Sequence, residues 1–226
     1  MDTFLETYFP NVYDIQEEIV NSIWETLYMV SVTALIAGVL GILLGITLVV
    51  TEEDGILESR QVYNFLERAV NVFRSVPFII MLALIAPITR LLVGTSIGTT
   101  AAIVPLVVGT VPFYSKQIQN ALLEVDQGVI EAAEAMGSSP VEIIFRVYLK
   151  EGLPSIIRVS SVTIVNLIGL TTMAGAIGGG GLGNLAIARG YNRNQADVTL
   201  VSTAVILIIV FATQFIGNRL VKKTSH

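Results

Sequence analysis

Five long apolar stretches, separated by shorter polar ones, organise this chain: about 22–50, 69–92, 97–123, 156–177 and 198–220. Each has roughly the 20 residues a helix needs to cross about 30 Å of hydrocarbon. The pattern predicts an all-α, polytopic membrane protein with five transmembrane helices. Pro77 falls inside the second stretch, and Pro105 and Pro112 inside the third. A proline within a span kinks the helix and frees a carbonyl, which is tolerated at depth only where protein or a water-filled cavity receives it. That suits a conduit, although kinks also occur in inert bundles. Gly41 and Gly45, four residues apart in the first stretch, form a small-residue pair that lets helix backbones approach closely.

The polar stretch 124–155 has its own periodicity. Val129, Ala132, Ala133 and Met136 recur at helical spacing, and Gly137 comes next as a helix-ending glycine. Ser139, Pro140 and Glu142 then supply an N-cap, a first-turn proline and the glutamate of a capping box. Val141, Ile144, Phe145 and Tyr148 repeat the spacing, so two short amphipathic helices meet at a bend near Gly137. A helix lying on lipid carries Lys and Arg on its polar face. This segment instead carries Glu124, Asp126, Glu131, Glu134, Glu142 and Glu151 against Arg146 and Lys150. The acidic face favours a protein partner over a lipid surface. The alanines allow close approach, and Met136 and Phe145 offer apolar anchors.

Charge placement orients the chain. If the N-terminus lies outside, the inner segments hold Arg60, Arg68, Arg74, Lys116, Arg146, Lys150, Arg158, Arg219, Lys222 and Lys223. The outer segments then hold only Arg90, Arg189 and Arg193. This asymmetry predicts N-out, C-in. Residues 1–19 form an acidic external tail without the basic start of a signal peptide, and 219–226 a basic cytoplasmic tail. Of the 226 residues, 53% are hydrophobic and 14% charged, against roughly a quarter charged in soluble domains. There is no cysteine, and the one histidine is His226, so thiolate and interior imidazole chemistry are excluded.

A proton- or ion-coupled carrier places ionisable groups at mid-membrane depth. The span centres here contain no Asp, Glu or His; Glu25 and Lys116 lie nearer span ends, as snorkelling groups would. The chain lacks G-x-x-x-x-G-K-[ST], and the glycine run at 178–181 has no Lys-Ser/Thr after it and reads as a flexible turn. An intramembrane enzyme would need a nucleophile or acid pair that the spans do not offer, so no catalytic residue is assigned. Driving energy is expected to arrive through another chain, with 124–155 as receiver. A stand-alone carrier or channel is the alternative. Five spans enclose little, so a path is expected at a two-fold interface between two copies. Asn166, Thr171, Thr172 and Met173, near Gly169 and Gly175, are the candidate path residues, with Met173 either a movable gate or ordinary core.

Glu131-Ala132-Ala133, then Gly137, Val147 and Leu149, resembles the EAA signature of ATP-binding-cassette importer permeases. Lys150 stands where that signature has proline, and Leu153-Pro154 comes shortly after. Arg74-Ser75-Val76-Pro77-Phe78, Gly94-Thr95-Ser96-Ile97-Gly98-Thr99-Thr100, Pro112-Phe113 and the block from Met173 to Gly183 are similar to the permeases of methionine importers. The resemblance implies the type I importer permease fold over 20–218, in the cell membrane. It implies that 124–155 is the coupling segment, with Glu131, Ala132, Ala133, Met136, Gly137, Ser139 and Pro140 meeting the ATPase. It further implies two permease copies, two cytoplasmic ATPase copies that bind ATP and Mg, and an external substrate-binding lipoprotein. No cofactor, metal or nucleic acid is expected on this chain. The implied cargo is L- and D-methionine, the alternative being another amino acid or small solute of the same class.

Overall fold

The computed structural model describes residues 8–224. Among them the regular structure is helical: α1 Pro10–Tyr13, α2 Gln16–Thr51, α3 Arg60–Ser75, α4 Phe78–Val93, α5 Thr99–Leu123 and α6 Gln127–Ala135. Next come α7 Pro140–Ile143, α8 Leu149–Glu151, α9 Leu153–Ala174, α10 Gly181–Asn184 and α11 Ala196–Thr224. Short π-helical segments, Ile144–Tyr148, Gly175–Gly179 and Leu185–Tyr191, join some of these. Among the described residues four helices are long and apolar enough to cross a bilayer, and the bent pair α3–α4 makes a fifth if counted as one span.

The predicted second span, 69–92, is corrected in its outline. The helix breaks at Val76–Pro77, where both residues have extended ψ, 122° and 133°. The ring of Pro77 pushes the residue before it out of the helical region. Pro77 therefore lies at the break, capping α4 and not inside a helix, and the proline inside α4 is Pro87. The described part of the predicted acidic tail, 1–19, packs against the rest of its unit. Val12 and Ile15 are buried with Leu185 and Val198. Asn11 donates from its backbone and side chain to Asp197, both at 3.0 Å, and Arg189 reaches Glu18 at 2.7 Å. Residues 1–7 and 225–226 lie outside the described residues. At the other end α11 continues through 219–224, with the Arg219 guanidinium 4.5 Å from the centre of the Phe215 ring.

The chain divides into two compact units. One draws on the chain up to Leu35, on Pro77–Val108 and on Ile164–Thr213. Its core is Met29, Val30, Leu82, Ala102, Leu106, Leu167, Ile168 and Ala174. The other draws on Ile36–Val76, Gly109–Thr163 and the chain from Gln214. Its core gathers the ends of α2 and α5 (Val49, Val50, Ile118, Ala121, Leu122) with Ile130, Ala133, Ile143, Tyr148 and Ile156.

Within the second unit the glycine pair does what its spacing predicts. A Cβ on Gly41 would lie 2.5 Å from Tyr114 Cδ1, and one on Gly45 would lie 2.6 Å from Ile118 Cβ. Gly38, one turn earlier, has nothing within 4 Å. Overpacking a close helix contact costs about 1–3 kcal/mol. Gly45→Val is therefore expected to lower the thermal midpoint of the purified protein in detergent, and Gly38→Val to leave it unchanged. Equal midpoints for the two variants would contradict this packing.

Candidate functional site

The bend between α6 and α7 is fixed twice over. Asp126 caps the start of α6 by accepting from Gly128 N at 2.7 Å. At its end Gly137 takes φ +80°, its N–H reaching Glu134 O at 2.8 Å while Ser138 N–H reaches Ala133 O at 3.1 Å. Those two bonds are the Schellman pattern, which answers carbonyls the helix leaves unpaired. One residue later Ser139 and Glu142 form the predicted capping box, with Pro140 in the first turn. Ser139 N–H donates to Glu142 Oε2 at 3.0 Å, and Glu142 N–H to Ser139 Oγ at 3.4 Å. The Ser139 backbone and hydroxyl donors, with Arg146 beyond them, hold the Glu142 carboxyl below the ordinary glutamate range. A depressed carboxylate contributes above its unfolded pKa and is lost only as pH falls through the lowered value. The box is therefore intact at neutral pH.

The segment seats one side on its unit and leaves the other free. Ile130, Ala133, Ile143 and Tyr148 are buried among the ends of α2, α5 and α9. Glu124 at the entry accepts a short hydrogen bond from the Ser155 hydroxyl. Burial, with Glu134 and Glu52 nearby, raises the pKa of the Tyr148 phenol, so it stays neutral. Val129, Val141, Phe145 and Met136 face outward, the last two 65% and 80% exposed. Glu131, Ala132, Gly137 and Ser139 are exposed beside them, and Pro140 is half-buried.

The predicted face therefore splits. Ala133 turns inward with Ile130, while Val129, Ala132 and Met136 remain outside. Tyr148 likewise leaves the side of Val141 and Phe145. The π-helical segment at Ile144–Tyr148 adds a residue to the turn and so rotates the later side chains about the helix axis. Ile130 and Ile143, the anchors that seat the segment, were missed; the available signal was the apolar pair Ile130–Ala133 at i, i+3 spacing.

The candidate path residues separate in the same way. On α9, Asn166, Gly169 and Met173 share an exposed side, with Met173 50% exposed. Thr171 is 2% exposed, and its hydroxyl donates to Ile168 O at 2.7 Å, so it belongs to the core and not to that side. Thr172 is half-buried, with its hydroxyl donating to the same carbonyl at 3.1 Å.

Beyond Met173 the helix kinks, and the predicted flexible turn at 178–181 is corrected to a packed one. Gly178, Gly180 and Gly181 have φ of +95°, +77° and +72°. Gly178 O accepts from Gly98 N–H at 2.9 Å. Gly181 N–H donates to Glu25 Oε2 at 2.6 Å, and Leu182 N–H to Thr26 Oγ1 at 2.9 Å. Glu25 is thus no snorkelling group but the carboxylate that receives the first N–H of α10. Lys116, the other presumed snorkeller, pairs with Glu67 at 2.9 Å.

Residues 37–226 match the family described as binding-protein-dependent transport system inner membrane component. The chain is 48% identical over 213 residues to the methionine import system permease protein MetP of Bacillus subtilis, covering 94% of this chain and 95% of that one. It is 44% identical over 203 residues, 90% of each chain, to the probable D-methionine transport system permease protein MetI of Vibrio cholerae. Among solved structures it aligns with the MetNI methionine ABC transporter in an inward-facing conformation, with a TM-score of 0.92 and 40% identity over 94% of this chain and 99% of that one. An amino acid ABC transporter crystallised with histidines shares the fold, with a TM-score of 0.78 and 15% identity over 95% and 98% of the two chains.

Proposed function

The chain belongs to the binding-protein-dependent transport system inner membrane components, and on that footing we propose how its parts work. It is a methionine permease of an ATP-binding-cassette importer, a multi-pass protein of the cell membrane. In the proposed arrangement the N-terminus is outside, as the Lys and Arg asymmetry favours. Two copies meet about a two-fold axis, and the Asn166–Gly169–Met173 side of each α9 lines the path between them. An external binding protein delivers methionine to that path. ATP and Mg are bound by two copies of a separate cytoplasmic ATPase and not by this chain.

The observation that carries this reading is the doubly capped bend with its exposed apolar residues. Met136 and Phe145 stand out from a rigid support, where an ATPase cleft can grip them. Glu131, Ala132, Gly137, Ser139 and Pro140 shape the tip, and Ala133 acts from behind by seating it. Moving a two-state equilibrium from 1:99 to 99:1 takes about 5.5 kcal/mol. A frayed loop would dissipate that work. The segment instead passes a pull at its tip to Val49, Val50, Ala121, Leu122 and Ile156, at the ends of three helices. As the paired ATPases close and reopen, the bundle alternates between outward and inward access.

The test is ATP-driven accumulation of labelled L- and D-methionine in proteoliposomes, with the chain alone and with its ATPase and binding protein. Accumulation is expected only when all components are present. Concentrative uptake by the chain alone would sink the reading and favour a stand-alone carrier. ATP hydrolysis stimulated by the binding protein with no accumulation of either methionine would leave the coupling scheme standing but overturn the cargo.

A further inference from the structure

α3 is amphipathic too, but with charge opposite to that of 124–155. Its inner side is pinned to the ends of α2 and α5. Val70 is buried, and the Tyr63 hydroxyl donates to Glu52 Oε1 at 3.4 Å. Gln119 Nε2 donates to Glu52 Oε2 at 3.1 Å, and Lys116 pairs with Glu67. At 1.5 Å per residue, Lys116 lies roughly 10 Å along the helix from Leu123, the last residue of α5. The helix is therefore held close to one end of its unit. That end also carries 124–155, because Val49, Val50, Ala121, Leu122 and Ile130 share one core.

The outer side of α3 is uncovered. Val62, Phe65, Ala69 and Val72 form one stripe, with Phe65 71% and Val72 64% exposed and Phe73 beside them. Next to the stripe runs a polar arc of Gln61, Asn64, Arg68, Asn71 and Ser75, with Arg68 at its border one turn from both Phe65 and Val72. The helix has one acid, Glu67, and Lys116 neutralises it. Among the described residues Arg68 and Arg74 have no carboxylate partner.

We infer that α3 lies in the headgroup layer of an anionic phospholipid leaflet, its Phe65–Val72 stripe among the acyl chains and Arg68, at the stripe's border, on a lipid phosphate. Charge decides the occupant. An apolar stripe with an unpaired arginine, Arg68, at its border suits an anionic membrane surface. A second copy docked through the same patch would bring the two Arg68 guanidinium groups together with no carboxylate on that face to answer them. This inference goes beyond the transport function and does not depend on it.

Because the chain contains no cysteine, Val72→Cys gives a single site for an environment-sensitive fluorophore. The full chain with its ATPase is placed in bilayers of phosphatidylcholine and phosphatidylglycerol in which one lipid or the other is brominated. Both lipids are expected to quench the fluorophore, brominated phosphatidylglycerol more strongly than its share of the bilayer predicts. The preference for phosphatidylglycerol is expected to fall roughly fivefold for Arg68→Gln, to survive Arg68→Lys, and to be unchanged by Arg74→Gln, whose side chain leaves the opposite side of the helix. Quenching by brominated phosphatidylcholine should persist in all variants, showing that the helix still lies in lipid. Absence of quenching by either lipid would overturn the inference. So would equal quenching by the two, a preference untouched by Arg68→Gln, or a disulfide joining two copies of the unlabelled Val72→Cys chain.

Discussion

Replacing Gly137 with valine is expected to leave the protein folded and inserted while cutting ATP-driven methionine uptake by at least about tenfold. The argument is local. Gly137 has φ +80°, and no atom lies within 4 Å of where its Cβ would be, so valine meets no neighbour. What it meets is its own backbone. An L-residue in the left-handed region costs roughly 1–2 kcal/mol, and β-branching makes that conformation an outlier. The chain escapes by leaving the left-handed region, and then the bonds from Gly137 N to Glu134 O and from Ser138 N to Ala133 O break. Met136 and the capping box one residue further on would no longer hold a fixed relation, so the ATPase would pull on a slack joint. At about 1.4 kcal/mol per factor of ten, two lost cap bonds suffice for the effect. Gly137→Asn separates backbone from bulk, because asparagine tolerates the left-handed region. It should retain most of the uptake. Parallel assays of methionine-stimulated ATP hydrolysis and of membrane insertion decide the matter. If valine and asparagine behave alike, the glycine is not acting through its backbone.

The same bend shows how much of this molecule is legible in the sequence. Its caps are local: a glycine after the last turn, then Ser139 and Glu142 three residues apart, each able to reach only its own helix end. The apolar spans are legible because they need only length and composition, and the glycine pair Gly41–Gly45 because close approach leaves few other residues possible. What was not legible depends on partners far along the chain. Whether Ala133 or Ala132 faces inward is settled by Val49, Leu122 and Ile156, which no local period reveals. Glu25 lies 156 residues from Gly181, and Lys116 lies 49 from Glu67. Read alone, each charged residue is most simply a snorkelling group, and only the fold supplies its partner. The π-helical turn at Ile144–Tyr148 defeats pattern reading differently, because one added residue rotates Tyr148 away from a face that its spacing assigns to it. The break at Val76–Pro77 was open to local reasoning, since a residue before proline avoids the helix. The apolar run across it masked the signal.

Placing charges at the two outermost apolar positions, as Met136→Glu with Phe145→Glu, is expected to weaken association with the ATPase by about thirtyfold or more. Both side chains are mostly exposed, at 80% and 65%, so the substitutions remove little from the protein's own core. Neither residue belongs to the buried set that seats the segment. Thermal stability of the isolated chain should therefore stay within about 0.5 kcal/mol of the parent, as is usual for surface changes. The partner is different. Truncating a buried apolar anchor at an interface typically costs about 2 kcal/mol or more, and a carboxylate left unpaired there adds a desolvation cost. The segment already carries Glu131 and Glu134, both exposed, so further negative charge tests the apolar contact beyond any general attraction to acid. Ile143→Glu is the contrasting variant: Ile143 is 1% exposed in the core beneath, so burying a charge there should destabilise the chain itself. Affinity-tag pull-down of the ATPase and thermal unfolding in detergent, measured together, separate the two. If the Met136 and Phe145 variants keep full ATPase binding, the exposed apolar tip is not the grip, and the ATPase must engage the chain elsewhere.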